Sequence, residues 1–180
     1  MPGCPSPTSW QRFDTRALEF AILTAARSGE VRGAVWSELD LVEALWTVPA
    51  ERMKSGREHR VPLSKPALTL LRTLPKGEPD DLVFPGMRGP LSDMSLIAVL
   101  RRMNVDATAH GFRSSFRDWV SEYTNHMSEV AEMALAHAVG DKVETAYRRG
   151  NLFEKRVLLM SDWAMFLGTK KAGRRTGRRR

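Results

Sequence analysis

Two arginines, two histidines, a lysine and a tyrosine stand in this chain where their side chains could act together on a phosphodiester. Arg27 and Glu30 lie three apart in "ARSGE", after an apolar run. The carboxylate could fix the direction of the guanidinium; equally, the pair could be an ordinary helical ion pair contributing roughly 0.2–0.5 kcal/mol. Lys54 falls in the polar stretch "MKSGRE". Turn lysines are usually solvated, yet a flexible ammonium at a hairpin tip can reach into a cleft and deliver a proton. His110 and Arg113, in "HGFR", share a face at the start of a helix, where free N–H groups and the helix dipole favour an anion; a capping role is the structural alternative. His137 closes the apolar stretch "LAHA", where a satisfied core histidine is the ordinary outcome. Tyr147 is one of two tyrosines in the chain and is followed by Arg148 and Arg149. A structural tyrosine needs an apolar seat and one hydrogen-bond partner. A reactive one needs cations to draw off a proton whose free pKa is about 10.

The set suits phosphoryl transfer without a metal. Arginine forks bind two non-bridging phosphate oxygens and stabilise charge as phosphorus becomes five-coordinate. A phenolate beside cations can attack, and a lysine or histidine can protonate the leaving oxygen. A metal site fits poorly. The four histidines, His59, His110, His126 and His137, contain no i,i+4 pair, and the single cysteine, Cys4, gives no partner. The acids are scattered, and no Gly-rich Walker loop is present. No metal or other cofactor is expected.

Positioning these residues falls mainly to helices. Residues 1–15 read as irregular, rich in proline, serine and glycine. A helical pattern starts near Arg16, and "ALEFAILTAA" is apolar enough for a core helix. "AVWSELDL", "ALWTVPA" and "REHRVPLS" read as three short antiparallel strands, with Lys54 in the turn between the second and third. Pro66 opens the helix "PALTLLRTL" as a first-turn proline. After a loop, Ser92 or Asp93 should cap "MSLIAVLRRM", and Thr108 should cap "AHGFRSSFRDWVSEY". "SEVAEMALAHA" forms another helix; Ser128 and Glu132 are four apart rather than three, so a capping box there is weak. "KVETAYRRG" reads as a short helix stopped by Gly150, and "EKRVLLMSDWAMFL" as a last amphipathic one. The fold class is mainly α, with one small three-stranded antiparallel sheet near the N-terminus.

Composition sets the limits. A chain of 180 residues, 42% hydrophobic, is one domain with an ordinary core. It has no run long and apolar enough for a membrane span, and its first residues lack the pattern of a secretory signal. One cysteine fits a reducing cytoplasm. The net charge of +7 comes from the end of the chain: seven basic residues and no acid lie in residues 170–180, leaving 21 of each sign elsewhere. This tail is expected to be disordered, and Arg178, Arg179 and Arg180 could grip a phosphate backbone without sequence preference. A solubilising extension is the plain alternative.

The order of these motifs carries more than any one of them. Arg27-x-x-Glu30, Lys54 in a hairpin, "HGFR", "LAH" and then "AYRR" resemble the catalytic domain of tyrosine recombinases, above all the integrases of phages and genomic islands. The closest stretches are "RSGEVRGAVWSELDL", "WTVPAERMKSGREHRVPLS" and "LAHAVGDKVETAYRRG". The resemblance implies the fold of the DNA breaking-rejoining enzymes over residues 16–168. It implies that Tyr147 attacks one strand of double-stranded DNA to leave a 3′-phosphotyrosyl link and a free 5′-hydroxyl. Arg27 and Arg113 would clamp the scissile phosphate, with His137 a further phosphate ligand. Lys54 would be the general acid, His110 an acid/base aide, and Glu30 the support of Arg27. Arg148 and Arg149 could contact the DNA backbone or face solvent. Integration or excision would take four protomers on attachment-site DNA, with accessory DNA-bending proteins as further partners, in the cytosol. Members of this family also carry an N-terminal domain that clasps the DNA. Residues 1–15 are too short to supply it, so the chain is expected to be the catalytic domain alone. Two other readings are a remnant that binds DNA or partner protomers without cutting, and a topoisomerase-like relaxing enzyme of the same chemistry.

Overall fold

A computed structural model describes residues 7–137 and 152–169. Helix α1 spans Pro7–Thr24. It therefore begins nine residues ahead of the expected Arg16, and the stretch from residue 7 to 15 is helical rather than irregular. Proline is tolerated in a first turn, where its missing N–H has no helical acceptor to lose, so a proline-rich opening does not exclude a helix. Ala17, Phe20 and Ala21 are buried, which is why this run carries so few charges. A short helix, α2, follows at Ser28–Arg32.

The sheet is formed by β1 (Leu39–Asp40), β2 (Leu45–Val48) and β3 (His59–Pro62), antiparallel and in that order. Leu39 faces Trp46 and Val48 faces His59. The first expected strand shrinks to Leu39–Asp40 because Trp36–Glu38 forms a 3-10 turn. Asp40 makes the hairpin: its carboxylate accepts the N–H groups of Val42 and Glu43 at 2.9 and 2.8 Å. Lys54 lies between β2 and β3, as the sequence implies.

Helix α3 is Lys65–Arg72, with Pro66 in its first turn. A two-residue ribbon, β4 (Pro85–Gly86) and β5 (Gly89–Pro90), occupies the following loop. Helix α4 runs Ser95–Arg102. Neither proposed cap serves it: Met94 is the N-cap residue, Asp93 is drawn off to Arg32, and the Ser92 hydroxyl meets that of Ser95. Helix α5, Ala109–Tyr123, starts where expected, with the Thr108 hydroxyl accepting the Gly111 N–H at 3.0 Å. Helices α6 (Ser128–Ala134) and α7 (Phe153–Gly168) complete the described elements. The expected helix around Tyr147 lies outside the described residues. Among the described residues no helix is long and apolar enough to cross a membrane.

Two hydrophobic clusters result. The first gathers α1, the sheet, α3 and α4, with the Phe20 ring tilted against Trp46 and Phe84 at centroid distances of 5.3 and 5.4 Å. The second joins α5, α6 and α7 through Phe116, Trp119 and Trp163. Ala25, just past α1, belongs to the second cluster, while Ala26 belongs to the first. The seam between the two clusters therefore passes directly before Arg27.

Candidate active site

Helix α1 ends in a sharp change of direction. Ala25 adopts a left-handed backbone, φ 52°, a conformation that non-glycine residues seldom hold without support from their surroundings. Arg27 then stands at the N-cap position of α2 with extended φ and ψ. Glu30 serves it twice. One carboxylate oxygen accepts the Arg27 N–H at 2.9 Å, and the other accepts its Nη1 at 2.7 Å. Glu30 is buried at 5% exposure, while the Arg27 side chain keeps 30%. The pair is therefore more than a surface ion pair, since the buried carboxylate depends on its partner.

Arg113 projects from the first turns of α5 and is buried. It is held by main chain. Nη1 donates to the Ala25 carbonyl just past α1, and Nη2 donates to the Leu135 carbonyl at 2.7 Å. Nη2 also faces His137 Nε2 at 3.3 Å. Burial, helped by the charge of Arg27, lowers Arg113 to about 10 against the opposing pull of Glu30 and Glu132. It stays cationic at neutral pH. Its Nε has no partner among the described residues.

His137 lies beyond the end of α6, reached through a second left-handed alanine, Ala136 at φ 52°. This turn folds the chain back so that the imidazole lies between Arg113 and Glu132. Nδ1 is 2.7 Å from Glu132 Oε2. Because an ionised carboxylate only accepts and a guanidinium only donates, Nδ1 carries the proton and Nε2 offers its lone pair to Arg113. The other Glu132 oxygen takes Arg117 Nε at 2.6 Å. Burial works against the Glu132 charge, but the His137 hydrogen bond and the Arg117 charge outweigh it, so the carboxyl lies below its ordinary pKa.

The structure thus brings together Arg27, Glu30, Arg113 and His137. His110 sits one turn before Arg113 on α5, exposed. Lys54 is exposed in its turn, and neither makes a hydrogen bond or ion pair with the cluster among the described residues. The base of the Lys54 loop is nevertheless fixed. Met53 is buried in the first cluster, and Arg52 is bound to the Glu30 carbonyl and to Glu38, whose other oxygen accepts Trp46 Nε1 at 2.9 Å. Tyr147, Arg148, Arg149, Arg178, Arg179 and Arg180 lie outside the described residues. Among the described residues no three His, Cys, Asp or Glu side chains form a metal-ligand set.

Two supports were not evident from the sequence. Glu132 suggested only a weak capping box, yet its carboxylate holds His137 and Arg117. His59 in β3 donates from Nε2 to the Ala134 carbonyl at 3.2 Å, tying the sheet to the end of α6. Burial, reinforced by the Arg156 charge, lowers His59 to about 4, so it is neutral and can donate only as the Nε2–H tautomer.

Residues 7–152 match the phage integrase family, and the chain belongs to that family. It is 34% identical over 162 residues to the prophage integrase IntZ of Escherichia coli, covering 87% of this chain. It is 32% identical over 168 residues to the prophage integrase IntA of the same species, covering 89%. The chain spans 40% of the length of each. Among solved structures, the integrase from mycobacterium phage Brujita shares the fold, with a TM-score of 0.65 at 19% identity; the match covers 89% of this chain and 58% of that one.

Proposed function

We propose that this chain cuts and rejoins double-stranded DNA in site-specific recombination, without a metal or cofactor. The observation that carries the reading is the seating of Arg113 between the Ala25 and Leu135 carbonyls, with His137 at its edge and Arg27 two residues past Ala25. That arrangement groups two cations and an imidazole, which supports the reading because a pentacoordinate phosphorus needs such neighbours. The Tyr147 phenol gives up its proton to solvent, as neighbouring cations favour, and the phenolate oxygen attacks phosphorus as the bond to the 5′-oxygen breaks. That oxygen leaves with a proton from Lys54, aided by His110, and the 3′-phosphate remains esterified to tyrosine. Reversal by another strand's 5′-hydroxyl rejoins the DNA without ATP. Integration or excision adds four protomers on paired attachment sites, with accessory DNA-bending proteins as partners, in the cytosol. Arg148, Arg149 and the basic tail through Arg178, Arg179 and Arg180 add contacts to the DNA backbone.

The test uses nicked suicide duplexes with randomised sequence around the nick. An SDS-resistant protein–DNA adduct is expected, absent in Tyr147→Phe, and sequencing the trapped DNA gives the site. An adduct that persists in Tyr147→Phe would remove Tyr147 from the nucleophile's role. DNA retention with no adduct would replace cutting with binding alone. Relaxation of supercoiled plasmid lacking any site would favour the topoisomerase-like reading.

A further inference from the structure

We propose that Glu132 is a positioning residue for strand cleavage, holding His137 so that its Nε2 meets the same phosphate that Arg113 binds. The proposal rests on the reading of His137 as a phosphate ligand. Glu132 holds His137 at two points. Its main-chain carbonyl accepts the His137 N–H at 2.9 Å, and its carboxylate accepts Nδ1–H at 2.7 Å. The imidazole needs this hold: its side chain is 40% exposed and lies three residues past the end of α6, where no helical register fixes it. Glu132 is itself fixed from α5 by Arg117 at 2.6 Å. A chain of contacts thus runs Arg117, Glu132, His137, Arg113, in which the carboxylate and the imidazole lie between two guanidinium groups.

That chain has a protonic consequence. In the DNA-free protein Nε2 accepts from Arg113. A phosphate oxygen also only accepts, so when it displaces this contact Nε2 must take up a proton to donate to it. The imidazolium then stands between two anions, Glu132 and the phosphate.

The experiment measures single-turnover adduct formation across pH for wild type, Glu132→Gln and Glu132→Ala, each also in a His137→Ala background. Glu132→Ala should slow cleavage roughly tenfold through imidazole misplacement. Glu132→Gln keeps an acceptor for Nδ1–H, so it should retain most of the rate that Glu132→Ala loses. In the His137→Ala background either change should cost less than about twofold, because the two residues act as one unit. Equal losses with and without His137, or a Glu132→Gln variant as slow as Glu132→Ala, would overturn the proposal and leave Glu132 a structural partner of Arg117. Ring-nitrogen NMR of His137 in the free protein keeps the question separate from the cutting activity. Even if wild type yields no adduct, a fixed Nδ1–H tautomer that becomes mixed in Glu132→Ala supports the hold, and a mixed tautomer in wild type overturns it.

Discussion

The guanidinium of Arg27 is held by a carboxylate and keeps 30% of its surface, whereas that of Arg113 is buried and held by two carbonyls from different parts of the chain. The first arrangement is local: three residues at a helix start suffice. The second is global: the Ala25 carbonyl comes from the end of α1 and the Leu135 carbonyl from the end of α6, so Arg113 is placed only when these two distant segments are packed against α5 in the second cluster. Arg113 is thus part of the fold as well as of the site, while Arg27 is an attachment that its own short helix supplies. Substitutions in the two halves should separate stability from chemistry to different degrees.

The largest loss is expected at Arg113. Arg113→Ala leaves two carbonyls at the seam without their donor and should lower stability by about 4 kcal/mol, read as a fall in the urea midpoint. Arg27→Ala strands the buried Glu30 carboxylate and should cost about 2 kcal/mol. Because that cost is local, Glu30→Gln in the same chain should return part of it, and failure to do so would erase the contrast between the two arginines.

Next comes His59, which bridges the halves from the sheet side. Its folded-state value of about 4 lies below the ordinary 6.5. Between these values the unfolded chain binds a proton that the folded chain refuses, so stability falls as pH drops from 6.5 toward 4 and is fully present above 6.5. The loss attached to this one group is about 3 kcal/mol. Denaturant midpoints measured at several pH values should show that slope, and His59→Asn should flatten it.

Lys54→Ala should have the smallest effect on stability, within about 0.5 kcal/mol, because the side chain is exposed and unpaired among the described residues. Its effect on cleavage should be about a hundredfold. A substrate whose leaving atom is sulfur, which needs no proton, should restore the rate; a loss unchanged on that substrate would take the general-acid role from Lys54.

The same contrast explains what could be read from the amino acids. Side-chain partners at fixed spacing were legible: Arg27 with Glu30, the Thr108 cap, and Pro66 at a helix start. The hairpin carrying Lys54 was legible because Val, Trp and Leu alternate on either side of a polar turn. Main-chain partners were not. A carbonyl has no letter of its own, so nothing in the sequence announces that Arg113 will sit between Ala25 and Leu135. Glu132 and His137 are five apart, a spacing that meets in no regular helix, and only the left-handed turn at Ala136 brings them together. The early start of α1 was hidden by prolines that a first helical turn accepts without penalty.

Helix α7 lies beyond the tyrosine in the chain, yet its Trp163 donates from Nε1 to the Ile22 carbonyl at 2.8 Å, just before Ala25. Its Leu159, Met160 and Trp163 fill the second cluster in which Ala25 is seated. Ribosomes add residues in order, at roughly 5–20 per second. A nascent chain that already contains Tyr147 therefore still lacks the wall that seats the Arg113 cradle. On the proposed reading of Tyr147, the nucleophile is made before the pocket that would activate it, and the order of synthesis itself would delay cutting until α7 has emerged.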